Sequence, residues 1–201
     1  RVLFRSLNIQ KNRHKVECYM NQTADLTEKT LSREEKYQGS FLSLHVDQVQ
    51  LPNGRTSFRE VVEHVDGVAI LALDDRNNVL TVTQYRYVIG KTLLEIPAGK
   101  LEPGEDPVAG ALRELKEETG AVPDTFLPMG VTLPSPGCLS ERLYLFLAKG
   151  LHMESQQLDE DEFLNVERIP FNEMVHRVMD GEIEDSKTIA AVLKAKVLLN
   201  L

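Results

Sequence analysis

Residues 99–121 read GKLEPGEDPVAGALRELKEETGA. The later part carries the marks of a helix from Pro107 to Thr119. Asp106 stands at the N-cap position, Pro107 in the first turn, and Gly120 just past the end. Counted at about 100° per residue, Val108, Ala111, Leu112 and Leu115 fall within about 60° of one direction, the expected buried face. Glu114, Glu117 and Glu118 fall on the far side, at i, i+3 and i+4. Like charges at that spacing destabilise a helix by roughly 0.2–0.5 kcal/mol per pair. They also occupy its last two turns, where the macrodipole is negative. Arg113 can reach Glu117, in the weaker cation-first order. Two readings stand. One is a solvated acidic face. The other is a set of carboxylates turned to a divalent cation, which would relieve the repulsion. Hard oxygen donors with water and substrate phosphate are how Mg²⁺ is held. The loop just before, Ala98 to Glu105, has two glycines and a proline and exposes backbone amides and carbonyls. Loop, helix and acids together fit a site that grips a metal-bound phosphate.

Outward from this segment the chain alternates between strands and helices. From Phe41, Leu42, Leu44 and Val46 lie on one side and Ser43 and His45 on the other. Pro52-Asn53-Gly54 is a turn, and Thr56 to Val65 is a second extended run, so the pair reads as a hairpin. Val68 to Leu73 is continuously apolar and reads as a buried strand. Val79 to Tyr85, Leu93 to Ile96, Arg142 to Ala148 and Phe163 to Ile169 read as further strands. Asn172 to Met179 is a second helix, and Ser186 can cap a third over Lys187 to Leu199. Strands, a helix, strands and then helices suggest α+β, or a mixed sheet between helices.

The chain has 201 residues, of which 42% are apolar, enough for a core and more than disorder allows. Its net charge is −8, unevenly spread: residues 1–19 carry +4 and the remainder −12. An acidic body repels nucleic-acid phosphate. No apolar run is long enough to span a membrane, and the basic start lacks the apolar core of a secretory signal. Two distant cysteines, Cys18 and Cys138, make no disulfide framework, and a reducing cytoplasm is the expected location. The five histidines show no zinc-ligand spacing. Residues 1–25 are expected to be a leader, disordered or non-native, since Met20 reads as a natural start.

The quoted stretch resembles the Nudix box, G-x5-E-x7-R-E-U-x-E-E-x-G-U. Gly99, Glu105, Arg113, Glu114, Leu115, Glu117, Glu118, Gly120 and Ala121 stand at its constrained positions, Ala121 being smaller than the usual aliphatic. The resemblance implies an α/β/α sandwich around a mixed sheet, here behind a small N-terminal antiparallel β-sheet element. It implies hydrolysis of a nucleoside diphosphate linked to another group. It also implies that Glu114, Glu117 and Glu118 ligate Mg²⁺ (or Mn²⁺), that Arg113 orients them, and that Glu105 assists. From about Leu26 onward the chain is similar to the ADP-ribose pyrophosphatase branch. The likeness lies in Arg59 to His64, Gln84 to Tyr87, Leu94 to Gly99 and Ser135 to Arg142, with Pro136 lying 15 residues past Ala121. In that branch the carbonyl of Ala98 also binds metal, and Arg59, Arg86, Glu95 and Glu141 match positions that line the substrate site. The branch supplies a glutamate from the loop matching Leu158 to Glu162, so Glu160, then Glu162, are the candidate general bases. Cys138 and Leu139 stand where the branch varies.

The expected organisation is residues 26–65 as a dimerising β element and 66–201 as the hydrolase domain of a homodimer. Three functions compete. The first is hydrolysis of ADP-ribose to AMP and ribose 5-phosphate, or of a close nucleoside diphosphate sugar of the GDP-mannose type. The second is a house-cleaning hydrolase for nucleoside triphosphates, against which the N-terminal hairpin and Pro136 argue. The third is a non-catalytic Nudix binding domain, against which the complete set of box glutamates argues.

Overall fold

Gly67–Leu73, GVAILAL, is buried at every position. Successive side chains of a strand face opposite ways, so a strand apolar throughout has to be covered on both faces. The computed structural model, which describes residues 25–158 and 163–200, meets that demand with helices on either side. In chain order the strands are β1 (Lys29–Gln38), β2 (Leu42–Gln50), β3 (Thr56–His64), β4 (Gly67–Leu73), β5 (Asn78–Arg86), β6 (Lys91–Glu95), β7 (Ala98–Lys100), β8 (Ala121–Thr132), β9 (Leu143–Met153) and β10 (Leu164–Pro170). The helices are α1 (Pro107–Thr119), α2 (Phe171–Met179) and α3 (Ser186–Leu199).

The main sheet runs β10-β5-β4-β9-β8, with β6 added to β5 and β7 to β4. β4 and β9 pair in parallel and the other pairs are antiparallel, so the sheet is mixed. Val68, Ile70 and Ala72 pack with Ala111 and Leu115 of α1 and with Phe146 and Ala148 of β9. Ala69, Leu71 and Leu73 pack with Met174 and Val175 of α2 and Ala191, Val192 and Ala195 of α3. The result is the expected α/β/α sandwich. No helix among the described residues is long and apolar enough to cross a membrane.

A separate antiparallel sheet, β1-β2-β3, precedes it. The hairpin at Pro52-Asn53-Gly54 is present, with Gly54 in the left-handed region at φ 81°. β1 has no counterpart in the strand pattern read from the sequence: only Leu31 and Tyr37 are large and apolar in it, and all ten residues are exposed. Pairing with β2, not burial, makes it a strand. β8 likewise has no counterpart in the strand pattern of the sequence, because Pro123, Pro128 and Gly130 look like breaks. It lies at the edge of the sheet, where a proline's missing N–H costs no ladder bond. In β2 the buried side is His45, Asp47 and Val49, while Leu42, Leu44 and Val46 are only half-buried. Arg33 makes this possible by forking onto Asp47 (2.9 and 3.0 Å) and reaching Glu63 (2.9 Å).

The two sheets are joined at the loop after β8. Val62 N–H donates to the Cys138 carbonyl (2.7 Å), Ser140 N–H to the Val62 carbonyl (3.0 Å), and His64 N–H to Ser140 Oγ (3.0 Å). The Ser135-Pro136-Gly137 turn is thereby tied to the end of β3.

Candidate active site

The caps of α1 are those read from the sequence. Asp106 Oδ1 accepts from the N–H groups of Val108 (3.0 Å) and Ala109 (3.2 Å), and Gly120, at φ 73°, closes the helix onto the Lys116 carbonyl. The buried face is not. Val108 is 45% and Leu112 36% exposed, whereas Glu114 is 8% and Glu118 2% exposed. Only Ala111 and Leu115 of the expected apolar face are buried. The helix is turned so that Gly110, Glu114 and Glu118 face the loop before it. A side chain at 110 would come within 2.4 Å of Leu101.

Carboxylates are buried at such a position only when they are paired. Arg113 supplies most of the pairing. Its Nε and Nη2 hold both oxygens of Glu105 (2.9 and 3.0 Å), and its Nη1 reaches Glu114 (2.9 Å) and Glu117 (2.8 Å). Nη2 also donates to the Lys100 carbonyl (3.1 Å). All five guanidinium donors are engaged, a geometry that lysine cannot supply. Glu118 Oε2 accepts instead from the Ala98 N–H (3.0 Å). Gly99 is required for a steric reason: a Cβ there would lie 1.9 Å from the Glu114 carboxyl carbon. The repulsion read from the bare helix is therefore met first by Arg113. This guanidinium and the Glu102 N–H pull the Glu105 carboxyl down to about 2, and the acids in turn raise Arg113 above its ordinary value.

Among the described residues, no three His, Cys, Asp or Glu side chains form a ready-made metal cage. The donor chemistry still fits a hard divalent cation: three carboxylates converge on one guanidinium, and a fourth, that of Glu118, is fixed to the Ala98 N–H beside the same glycine loop.

The substrate-site candidates are placed unequally. Glu95, 1% exposed, is held in a fork by Arg86 Nε and Nη2 (2.7 Å each) and also by Lys187 Nζ. Burial pushes Glu95 up, but the two cations outweigh it and leave the carboxyl below its usual range. Glu95 thus serves Arg86 as a partner and does not itself present a surface to a ligand. Arg86 borders an open groove of about 410 Å³ with Tyr85, Tyr87 and Leu93. Its cationic form is favoured chiefly by Glu95, and Glu118 of the box adds to the same effect. Glu141 stands 3.8 Å from His64, and burial raises its pKa. Arg59 is not brought to the box. It bonds Ser57, the Phe58 carbonyl (2.9 Å) and Glu28, all in the N-terminal segment. Glu160 and Glu162 lie outside the described residues.

Sequence reasoning missed two groups. Gln156 donates to the Glu118 carbonyl, and the Gln157 N–H to the Glu117 carbonyl (3.0 Å), capping the end of α1 from a distant segment. Nothing local signals this. The second is Asp185, not Ser186, as the cap of α3: its carboxylate accepts from the Thr188 N–H (3.0 Å) and binds Lys187 (2.9 Å). The Asp-x-x-Thr spacing was legible, since aspartate caps as well as serine.

The chain matches the NUDIX domain model over residues 63–192. It matches that of the nucleoside diphosphate sugar hydrolase N-terminal domain over residues 28–62. It is 41% identical over 169 residues to the ADP-ribose pyrophosphatase of Bacillus subtilis (strain 168), covering 83% of this chain and 91% of that protein. It is 43% identical over 167 residues to the methanol dehydrogenase activator of Bacillus methanolicus, covering 82% and 90%. The crystal structure of an ADP compounds hydrolase superposes with a TM-score of 0.76 over 86% of this chain and 94% of that one, at 22% identity, a likeness of fold. With the domain model spanning most of its length and relatives above 40% identity along four-fifths of it, the chain belongs to the NUDIX family.

Proposed function

We propose that this protein is a divalent-metal-dependent pyrophosphohydrolase that cleaves ADP-ribose to AMP and ribose 5-phosphate in the cytoplasm. The observation that carries the reading is the gathering of Glu105, Glu114 and Glu117 by Arg113 around Gly99, with Glu118 fixed to Ala98. The similarity to ADP-ribose pyrophosphatases supports the substrate. Glu114, Glu117 and Glu118, with the Ala98 carbonyl, would hold Mg²⁺ or Mn²⁺. When bound, the ion supplies Lewis acidity and charge neutralisation at the diphosphate. Arg113, anchored by Glu105, keeps the glutamates aimed at that place. Arg86 binds phosphate oxygen at the groove, and Glu141, beside His64, is a second substrate contact. Water adds to one phosphorus, the bridging oxygen leaves with the other phosphate, and Glu160 or Glu162 accepts the proton. The acidic body suits a small nucleotide and not a nucleic acid.

Residues 26–65 serve as a dimerising element and 66–201 as the hydrolase unit. A strand exposed on both faces beside the half-buried Leu42, Leu44 and Val46 supports a second copy covering this sheet, with Arg59 reaching the partner's substrate site. A monomer by light scattering at micromolar concentration, with full activity, would remove the dimer from the proposal.

The test of the reaction is a panel of ADP-ribose, GDP-mannose, UDP-glucose and nucleoside triphosphates assayed with Mg²⁺ and with Mn²⁺. ADP-ribose should give the highest kcat/KM, with AMP as product. A triphosphate in first place would overturn the substrate reading. In the same assay Glu160→Gln should lower kcat by about 10²-fold or more with KM nearly unchanged, as for a group acting in the transition state. If both Glu160→Gln and Glu162→Gln keep wild-type kcat, neither is the base.

A further inference from the structure

We infer that Asp185, Lys187 and Thr188 at the start of α3 form a clamp that positions Arg86 for the substrate's phosphates, with Lys187 as the positioning residue. This rests on the function proposed above. Its structural basis is a chain of contacts from solvent to core. Arg86, at the groove, forks onto Glu95; Glu95 Oε2 also takes Lys187; Lys187 Nζ binds Asp185 (2.9 Å); Asp185 caps α3. Thr188 closes a second branch. Its hydroxyl donates to Asp185 Oδ2 (2.5 Å) and accepts from the Ile96 N–H (2.9 Å). The start of α3 thus holds both the partner of Arg86 and the backbone two residues before Ala98. Some ninety residues of sequence separate the two sides of this clamp, so local structure does not impose it.

Charge explains why a lysine is needed. Glu95 and Asp185 are two buried or nearly buried acids, and Arg86 and Lys187 are two cations, so the group is neutral. Lys187 lines the same groove but is only 11% exposed, with its ammonium held between Glu95 and Asp185, leaving Arg86, at 40% exposed, as the cation more open to a ligand. Without Lys187, two carboxylates would face one guanidinium. Arg86 would be drawn inward and the floor of the groove would turn anionic, which opposes a diphosphate. Arginine at 187 would keep the charge.

The experiment uses the full chain. Lys187→Met should raise KM for ADP-ribose by about tenfold, with kcat within about threefold, the pattern of lost substrate binding. Lys187→Gln, which keeps the hydrogen bond without the charge, should do the same if the methionine variant folds poorly. Lys187→Arg should restore most of KM. In an Arg86→Met background, Lys187→Met should change KM by less than about twofold, because residues in one network are not additive. Unchanged KM in the Lys187 variants, or KM effects of Arg86→Met and Lys187→Met that multiply, would overturn the clamp. If wild-type enzyme does not turn over ADP-ribose, the functional reading fails instead. Calorimetric titration with ADP then decides the clamp: weaker binding by Lys187→Gln than by wild type supports it, and equal binding overturns it.

Discussion

Glu118→Gln should lower kcat for ADP-ribose by about 10³-fold at saturating Mg²⁺, the rate equivalent of several kcal/mol of lost charge stabilisation. The structure gives this variant an advantage as a test. Glu118 is 2% exposed and accepts a 3.0 Å hydrogen bond from the Ala98 N–H, and a glutamine carbonyl oxygen can accept the same bond. The fold is therefore retained while the charge is lost. Removing one acid from a trio at i, i+3 and i+4 should leave the melting temperature in EDTA unchanged or raised. Mg²⁺ should stabilise the variant less than wild type, since a ligand that binds only the folded state raises its stability through affinity. A kcat within tenfold of wild type at saturating Mg²⁺ would remove Glu118 from the metal site.

Arg113→Met should strongly destabilise the fold. It removes the Arg113 bonds to Glu105, Glu114 and Glu117 at once, and the side chains of Glu105 and Glu114 are only 14% and 11% exposed. Taking the guanidinium away from partly buried acids costs about 2–3 kcal/mol, which lowers the melting temperature of a chain this size by roughly 5–10 °C. The loss has a pH signature. In the folded wild type Glu105 titrates at about 2, below its ordinary 4.5. A depressed carboxylate contributes stability that is complete above its unfolded value and is lost as pH falls through the folded one. The gap between wild type and Arg113→Met should thus be widest above about pH 5 and should narrow toward pH 2. Melting curves at several pH values check this. A gap as wide at pH 2.5 as at pH 7 would mean that Arg113 stabilises by packing and not through its acids.

The same helix marks the division between what could be read from the sequence and what could not. Its limits were legible because caps are local: Asp106, Pro107 and Gly120 act on backbone groups within one turn. The spacing of Glu114, Glu117 and Glu118 was legible for the same reason, as were the all-apolar strand Gly67–Leu73 and the turn at Asn53-Gly54. The face of the helix that is buried was not. Hydrophobic periodicity assigns the inside to Val108 and Leu112, but burial of a carboxylate depends on partners, and those of Glu118 and Glu114 include the Ala98 N–H and Arg113, in space that Gly99 leaves open.

Strands at the margins were hidden for a related reason. β1 is exposed throughout and β8 carries two prolines, so neither has the pattern by which burial reveals a strand, and only their neighbours β2 and β9 define them. Arg86 and Glu95 both match positions that line the substrate site, yet only tertiary structure separates them into a cation at the groove and a buried anion behind it, with Lys187 as the third member. The sequence by itself determined the three helices, the buried strands, the caps of α1 and the chemical identity of the box. The tertiary structure decided which charges are paired, because pairing is set by contacts between residues far apart in the chain, which no local period encodes.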